Sequence, residues 1–407
     1  VFDQFQFRTP LELDAELRGR WSAPEATGLR ARIATTNLVF KGEPFSNVAA
    51  TVTFTNRAVT ATDVRIARGQ EQVSVRRLAV DWGNDRITID GAVSTMDPLL
   101  VTGLIGESTR QAIEPYRFTR PPMARVNGSL PISNSSQTDL TFELSGGPFQ
   151  WEKFRLSDLN ATVHWVTNQV VITNVAGAFY GGRILGDARF DVNQPARTGF
   201  QFDLKTDNAD LHELLKDVSS STNKLQGRFD GRFAITKANT EDALSWQGFG
   251  NVKLRDGLLW DVPVVGIFSP VLDTFAPGIG RNRAKVASAS FTITNSVIHT
   301  KDFEIRAAPA RLHYEGAVGF DQKLNARVEA ELFGETMLGK IWLMGPLLGK
   351  VTRLFEYDVT GTLEQPKVKP VFIRKPWTIP LKFLGGLLPD FDKKKPDVVP
   401  PEKSPKP

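Results

Sequence analysis

At 407 residues, with 41% hydrophobic and 23% charged residues, the chain has the composition of a folded protein and room for two or three ordinary domains or one long repetitive one. It contains no cysteine, which excludes disulfides, thiolate metal sites and cysteine nucleophiles. The net charge of +5 belongs to the end of the chain, where ten Lys/Arg and four Asp/Glu follow from Lys367 onward, so the near-neutral body is not marked as nucleic-acid-binding by bulk charge.

In chain order, Val1-Phe2-Asp3 opens directly on strand-like alternation with no signal-peptide pattern. Without an initiator Met, the chain is expected to be a piece of a longer protein. The first strong element is a hairpin, Ser46 to Asn56 followed by Val59 to Val64. It recurs as Ser157 to Asn168 followed by Val170 to Val175, and more faintly as Ala287 to Asn295 followed by Val297 to Phe303. A recurring hairpin predicts a fold that grows by adding strands to one long sheet.

Between the first two copies, Asp97 to Arg117 reads as a helix with Pro98 in its first turn. After the second, Phe200 to Lys205 alternates, and Asn208 to Val218 places Leu211, Leu214 and Leu215 on one helical stripe. Arg228 to Ile235, Leu312 to Phe320 and Asn325 to Leu332 return to period two. The longest uncharged apolar run, Val262 to Leu272, carries Pro263 and Pro270 and falls short of the roughly 20 residues a membrane span requires. Glu335 to Phe355 predicts a third helix, broken at Gly345-Pro346. Residues 371–391 combine an apolar run with Arg374, Lys375 and Lys382, and the Pro/Lys-rich residues 392–407 are expected to be disordered.

Little here carries catalytic chemistry. His164, His212, His299 and His313 do not pair at metal-ligand spacing. There is no nucleophile elbow and no P-loop. Gly248-Phe249-Gly250 and Gly278-Ile279-Gly280 lack the rest of a dinucleotide fingerprint. Asp81 with Asp85, and Glu329 with Glu331, fall on turns or the wet faces of strands. The expectation is a non-enzyme with no cofactor and no metal. The ordinary reading of strands with one oily and one polar face is a closed sandwich, with an open, curved sheet whose oily face meets lipid as the alternative. Periodicity alone does not separate the two.

Three stretches resemble the C-terminal region of the AsmA-like family, the AsmA, TamB and YhdP class of bacterial envelope proteins. Gly248 to Phe268 has Gly248, Gly250, Asp256, Gly257 and Pro263 in the family's order. Phe179-Tyr180-Gly181-Gly182 to Gly186 is similar to its glycine hairpin, and Val359-Thr360-Gly361-Thr362 to Val368 to its closing motif. The likeness covers about 139–370 and is diffuse over 1–138. It implies a mostly β fold: an elongated, curved antiparallel β-sheet groove (β-taco-like) built from repeated hairpins, with a few short amphipathic helices.

By the same resemblance the chain divides into a β-rich groove segment (1–138), the family-like β-groove (139–370), an amphipathic apolar/basic segment (371–391) and the tail (392–407). The implied function is a non-enzymatic phospholipid-binding or lipid-transfer groove between inner and outer membranes, in the periplasm, tethered by an N-terminal helix missing from this chain. Its lining candidates are Phe200, Phe202, Leu204, Phe229, Phe233, Ile235, Phe291, Ile293, Phe303, Ile305, Tyr314, Val318, Phe320, Val328 and Leu332. Trp377, Phe383, Leu387, Lys375 and Lys382 are candidates for contact with a membrane surface or an envelope protein partner. The alternative is a partner-binding β-scaffold that affects outer-membrane assembly without bound lipid.

Overall fold

The computed structural model describes residues 4–373 apart from 21–22, 56, 106, 108–109, 111–112, 115, 134–136, 152, 194–196, 219–224, 260–262, 271, 273–283, 308–309 and 333–351. Among the described residues twenty-four strands form one sheet. Strands β1 to β7 are Phe5–Phe7, Glu12–Arg20, Ala23–Phe40, Glu43–Thr55, Ala58–Arg68, Glu71–Asp81 and Arg86–Ser94, and helix α1, Pro98–Ile105, follows. Strands β8 to β16 are Tyr116–Phe118, Met123–Pro131, Asp139–Gly146, Phe149–Trp151, Phe154–Leu156, Leu159–Val166, Gln169–Phe179, Gly182–Asp191 and Gly199–Asp210, leading into α2, Leu211–Val218. Strands β17 and β18, Arg228–Asn239 and Gln247–Gly257, precede α3, Pro263–Gly266. Strands β19 to β24 are Ala284–Thr294, Val297–Ala307, Ala310–Gly319, Lys323–Leu332, Thr352–Thr362 and Pro366–Ile373.

The sheet is an antiparallel meander. From β13 to β24 every strand pairs with its neighbour in sequence, and β2 to β7 do the same. Strand β9 pairs β7 and β10, and β10 pairs β13; short β8, β11 and β12 prolong these strands at one end. Among the described residues no strand pairs the outer edge of β2 or of β24. The sheet is open and curved into a groove.

The hairpin repeat carries a second, structural regularity. In each copy the second strand is bulged beginning four residues after its first valine. Asp63 (φ 53°) follows Val59, Asn174 (φ 55°) follows Val170, and the register of β20 slips between Thr300 and Phe303, after Val297. Such bulges bend and twist a strand and leave an N–H without its ladder partner. Here an oxygen on the adjacent strand accepts several of those orphan donors. Asn127 Oδ1 takes Gly91 N–H at 2.7 Å, Asp187 Oδ1 takes Asn174 N–H at 3.2 Å and Asp230 Oδ1 takes Asn208 N–H at 2.8 Å. Asp302 Oδ1 takes Ser290 N–H at 2.7 Å. A bulge also moves the apolar set by one position, so Val59 and Ala61 share a face with Val64 and Ile66.

Curvature is measurable at Trp246. Its ring lies 5.2 Å from that of Phe200 on β16 and 5.7 Å from that of Phe320, at the end of β21. In a flat sheet those strands would be about 24 Å apart. The sheet must coil for one indole to reach both.

Two of the expected helices are corrected. The helix expected over 97–117 is present in α1, and Glu107, Arg110 and Ile113 beyond it are also helical, but Tyr116–Phe118 is strand, held by pairing with β11. Of the helix expected over 335–355, residues 333–351 lie outside the described set, and Thr352 to Phe355 begins β23. Alternation places Phe355, Tyr357 and Val359 on the side facing the core, and pairing with β22 wins over helical propensity. The expected helix over 208–218 starts later, at Leu211, because Ala209 and Asp210 still pair in the sheet. Residues 374–407, including the segment 374–391 with Trp377, Phe383, Leu387, Lys375 and Lys382, and the tail, lie outside the described residues.

Candidate functional site

Directly opposed residues of antiparallel strands share a face. Following the register across the sheet gives an unbroken lateral row: Ala15, Ala31, Val52, Ala61, Leu78, Ile89, Gly128, Leu140, Trp165, Val170, Phe190, Phe200 and Ala238. Beside it runs a second, from Val126 through Phe142, Val163, Ile172, Ala188, Phe202, Ile235, Gly248, Ile293, Ile298 and Val318 to Leu324. The other face bears rows such as Asp14, Arg32, Thr51, Thr62, Arg77 and Asp90. One surface is oily from strand to strand and its reverse is polar.

Apart from Ile66 and Val73, which pack with the cluster under α1, no described residue seals the oily surface of β5, β6, β7 and β9. Strands β5, β6, β7 and β9 contain no buried residue at all; their apolar side chains are half-buried. A second sheet packed on this face would shut water out of Ala61, Leu78 and Ile89. A closed sandwich is therefore absent here. The sequence reading assigned 1–138 to the groove but named no lining residue there, because it favoured the clean Phe-rich strands of the second half. The signal was present but phase-shifted by the bulges at Asp63 and Gly91.

Elsewhere the chain covers its own apolar face. Met96 is buried against Leu38 and Phe45, with Leu100, Val101 and Leu104 of α1 packed beside them. Helix α2 sets Leu214 against a cluster that includes Phe179, Tyr180 and Ile184. The largest cover follows β18, where Leu259, Val265, Phe268 and Leu272 enter a cluster with Leu312, Val328, Phe355 and Tyr357. The Phe268 ring lies 5.5 Å from both Phe355 and Tyr357. This plug seals the end of the groove.

The fifteen expected lining residues divide accordingly. Phe200, Phe202, Leu204, Phe229, Phe291, Phe303 and Val318 are half-buried, while Phe233 and Phe320 are exposed. Ile235 and Ile293 are buried in a cluster that Trp246 packs against. Ile305, Tyr314 and Val328 sit in the sealed core under the plug and line no open surface, a correction imposed by Val265, Phe268 and Leu272. Leu332 stands at the register position opposite Ala310 and Thr352. Gly248 and Gly250 serve close packing: a Cβ on Gly250 would lie 2.4 Å from Phe291 Cζ, and the Phe233 and Phe291 rings on either side of this strand are 6.2 Å apart.

Polar chemistry concentrates where α2 meets the sheet. Arg155 binds Asp217 through Nε at 2.6 Å and Nη2 at 2.8 Å, and the Tyr180 hydroxyl donates to Asp217 Oδ2 at 2.6 Å. Burial and the Asp217 bond push the Tyr180 hydroxyl up to about 12. Desolvation works to raise the Asp217 carboxyl, but the hydrogen bonds from Arg155 and Tyr180 outweigh it and hold the group below the usual carboxylate range. Nearby, Asp210, His212, Gln226, Gly227, Arg228 and Asp256 line a small cleft. The tyrosines in the sealed core, Tyr314 and Tyr357, are raised by burial. Among the described residues no group of three His, Asp or Glu is placed to hold a metal ion, and no helix is long and apolar enough to cross a membrane.

The fold and this surface define the class: an open, curved antiparallel β-groove with one apolar face, part covered by its own helices. The chain matches no family model, no curated protein and no solved structure.

Proposed function

We propose that this chain is a non-enzymatic lipid-binding groove that holds the acyl chains of phospholipids along its apolar face. The observation that carries the reading is the run of strands β5, β6, β7 and β9, apolar on one face and without a single buried residue. An uncovered apolar surface of that extent needs an occupant. Burying one acyl methylene is worth about 0.8 kcal/mol, so a chain laid along equivalent aliphatic positions is held by many small increments rather than one anchor. From β3 to β17 the face spans roughly 50 Å, longer than one acyl tail. The lateral rows contain no charged residue to fix a headgroup, which favours sliding from strand to strand over capture at one point.

The sequence resemblance to AsmA-like envelope proteins supports the same reading and adds its setting: a periplasmic position, an inner-membrane tether and delivery toward the outer membrane. Native mass spectrometry of protein purified from membranes tests the lipid claim. Co-purifying phospholipid is expected from the wild type. Ile89→Asp with Val170→Asp is expected to lose it while the circular dichroism spectrum stays the same. A wild type that carries no lipid and displaces no fluorescent acyl probe overturns the reading.

A further inference from the structure

The two ends of the sheet are built differently. Strand β24 has Pro366 and Pro370 with Lys367 and Lys369, residues that blunt an edge because proline lacks the N–H and lysine resists a dry partner. Strand β2 has neither residue type over nine positions, and its outer edge is unpaired among the described residues. Its apolar-face residues Leu13 and Leu17 are 59% and 71% exposed, the latter the most exposed large hydrophobic among the described residues. Leu17 ends a row that continues through Leu29, Phe54, Val59, Val80, Ile87 and Leu130. Among the described residues β2 is thus the oily strand at the margin of the groove surface.

The charges on β2 specify what fits there. Acidic residues fill the first half of its polar face, Glu12, Asp14 and Glu16, and Arg18 begins a basic second half. Across β3, Glu16 faces Arg30 and Asp14 faces Arg32, whereas Arg18 faces Gly28, which offers no side chain. Arg18 instead leans 3.2 Å onto Glu16 of its own strand, both groups well exposed. We propose that β2 pairs antiparallel with β2 of a second copy, about a two-fold axis through Leu17. That register sets Leu17 against Leu17 of the partner and places Glu16 opposite the partner's Arg18 twice over, without any like-charge pair. Centring the axis on Glu16 sets Glu16 against Glu16, and centring it on Ala15 sets Asp14 against Glu16, acid against acid in both cases. The axis is perpendicular to the sheet, so both apolar faces stay on one side. The two grooves then merge into one of double length. The dimer stands on strand geometry and charge and is independent of the lipid reading.

Charge exchange tests it on the whole chain, read by analytical ultracentrifugation across a protein dilution series. The wild type is expected to dimerise. Glu16→Arg and Arg18→Glu are each expected to weaken the dimer about tenfold or more through paired like charges. Mixed in equal amounts, the two variants restore complementary pairs and are expected to dimerise with each other; the double variant E16R/R18E is expected to regain the wild-type constant. Circular dichroism shows whether each variant remains folded, and the mixing arm needs no new packing. A wild type that stays monomeric throughout, or single variants that dimerise as well as the wild type, overturns the proposal. So does a mixture of the two that remains monomeric.

Discussion

Tyr180 and Asp217, separated by 37 positions in sequence, are joined by a 2.6 Å hydrogen bond from hydroxyl to carboxylate, and Arg155 grips the other side of the same carboxylate. Tyr180 is buried at the start of a hairpin turn in the sheet, and Asp217 lies in the last turn of α2. The bond therefore ties α2 to the sheet. Tyr180→Phe removes the donor and leaves the Arg155 N–H, which Tyr180 accepts at 3.1 Å, without its partner. A loss of about 2 kcal/mol is expected for this charge-assisted contact, with faster hydrogen exchange confined to α2.

The same latch responds to pH at both extremes. Because the folded Asp217 carboxyl is held low, its stabilisation is complete above the unfolded value near ~3.9 and is lost as pH falls through the folded value. Tyr180 behaves in the opposite sense. Its folded value of about 12 exceeds the unfolded ~10, so its contribution is complete below the latter and disappears as pH rises between the two. Alkaline titration by tyrosinate absorbance is expected to show Tyr180, Tyr314 and Tyr357 titrating late, with one fewer late tyrosine in Tyr180→Phe; an unchanged late amplitude in that variant contradicts the assignment.

Position along the groove should decide what a charge does. Val328 is 0% exposed beneath the plug, whereas Phe233 is 36% exposed on the open surface. Val328→Asp buries a carboxylate without a partner and is expected to abolish folding. Phe233→Asp is expected to keep the fold and lower acyl-probe affinity about tenfold, the equivalent of roughly two lost methylene contacts. Equal damage to folding by both substitutions contradicts the division into sealed and open stretches.

The plug makes its own prediction. Phe268 is 1% exposed and stacked on Phe355 at an interplanar angle of 20°. Phe268→Ala is expected to cost about 3–5 kcal/mol, read from urea unfolding, because the surrounding strands are hydrogen-bonded and cannot collapse into the space.

Gly128 crosses the apolar row at φ 132°, and a Cβ there would come 2.1 Å from the Asp139 carbonyl oxygen. Neither the torsion nor the backbone neighbour can adjust. Gly128→Ala is expected to destabilise the β9–β10 pairing by roughly 2–4 kcal/mol, measured by thermal melting.

Much of this architecture was written locally. The hairpin copies at Ser46, Ser157 and Ala287 became β4–β5, β13–β14 and β19–β20, and the alternation of Phe200 to Lys205 and Asn325 to Leu332 became β16 and β22. What stayed hidden were the breaks in phase. A bulge at Asp63 or Gly91 interrupts period two, so the half of the groove built on Val52, Ala61, Leu78 and Ile89 looked less regular than it is.

The sequence by itself determined that the strands are two-faced and that hairpins repeat, because both follow from short-range pattern and turn chemistry. Only the tertiary structure decided which oily residues remain open. Tyr314 and Phe320 belong to one strand and its turn, yet Tyr314 is sealed and Phe320 is exposed. The difference comes from Val265, Phe268 and Leu272, which reach Tyr314 only after the chain has folded back over the sheet, and no local periodicity encodes that approach.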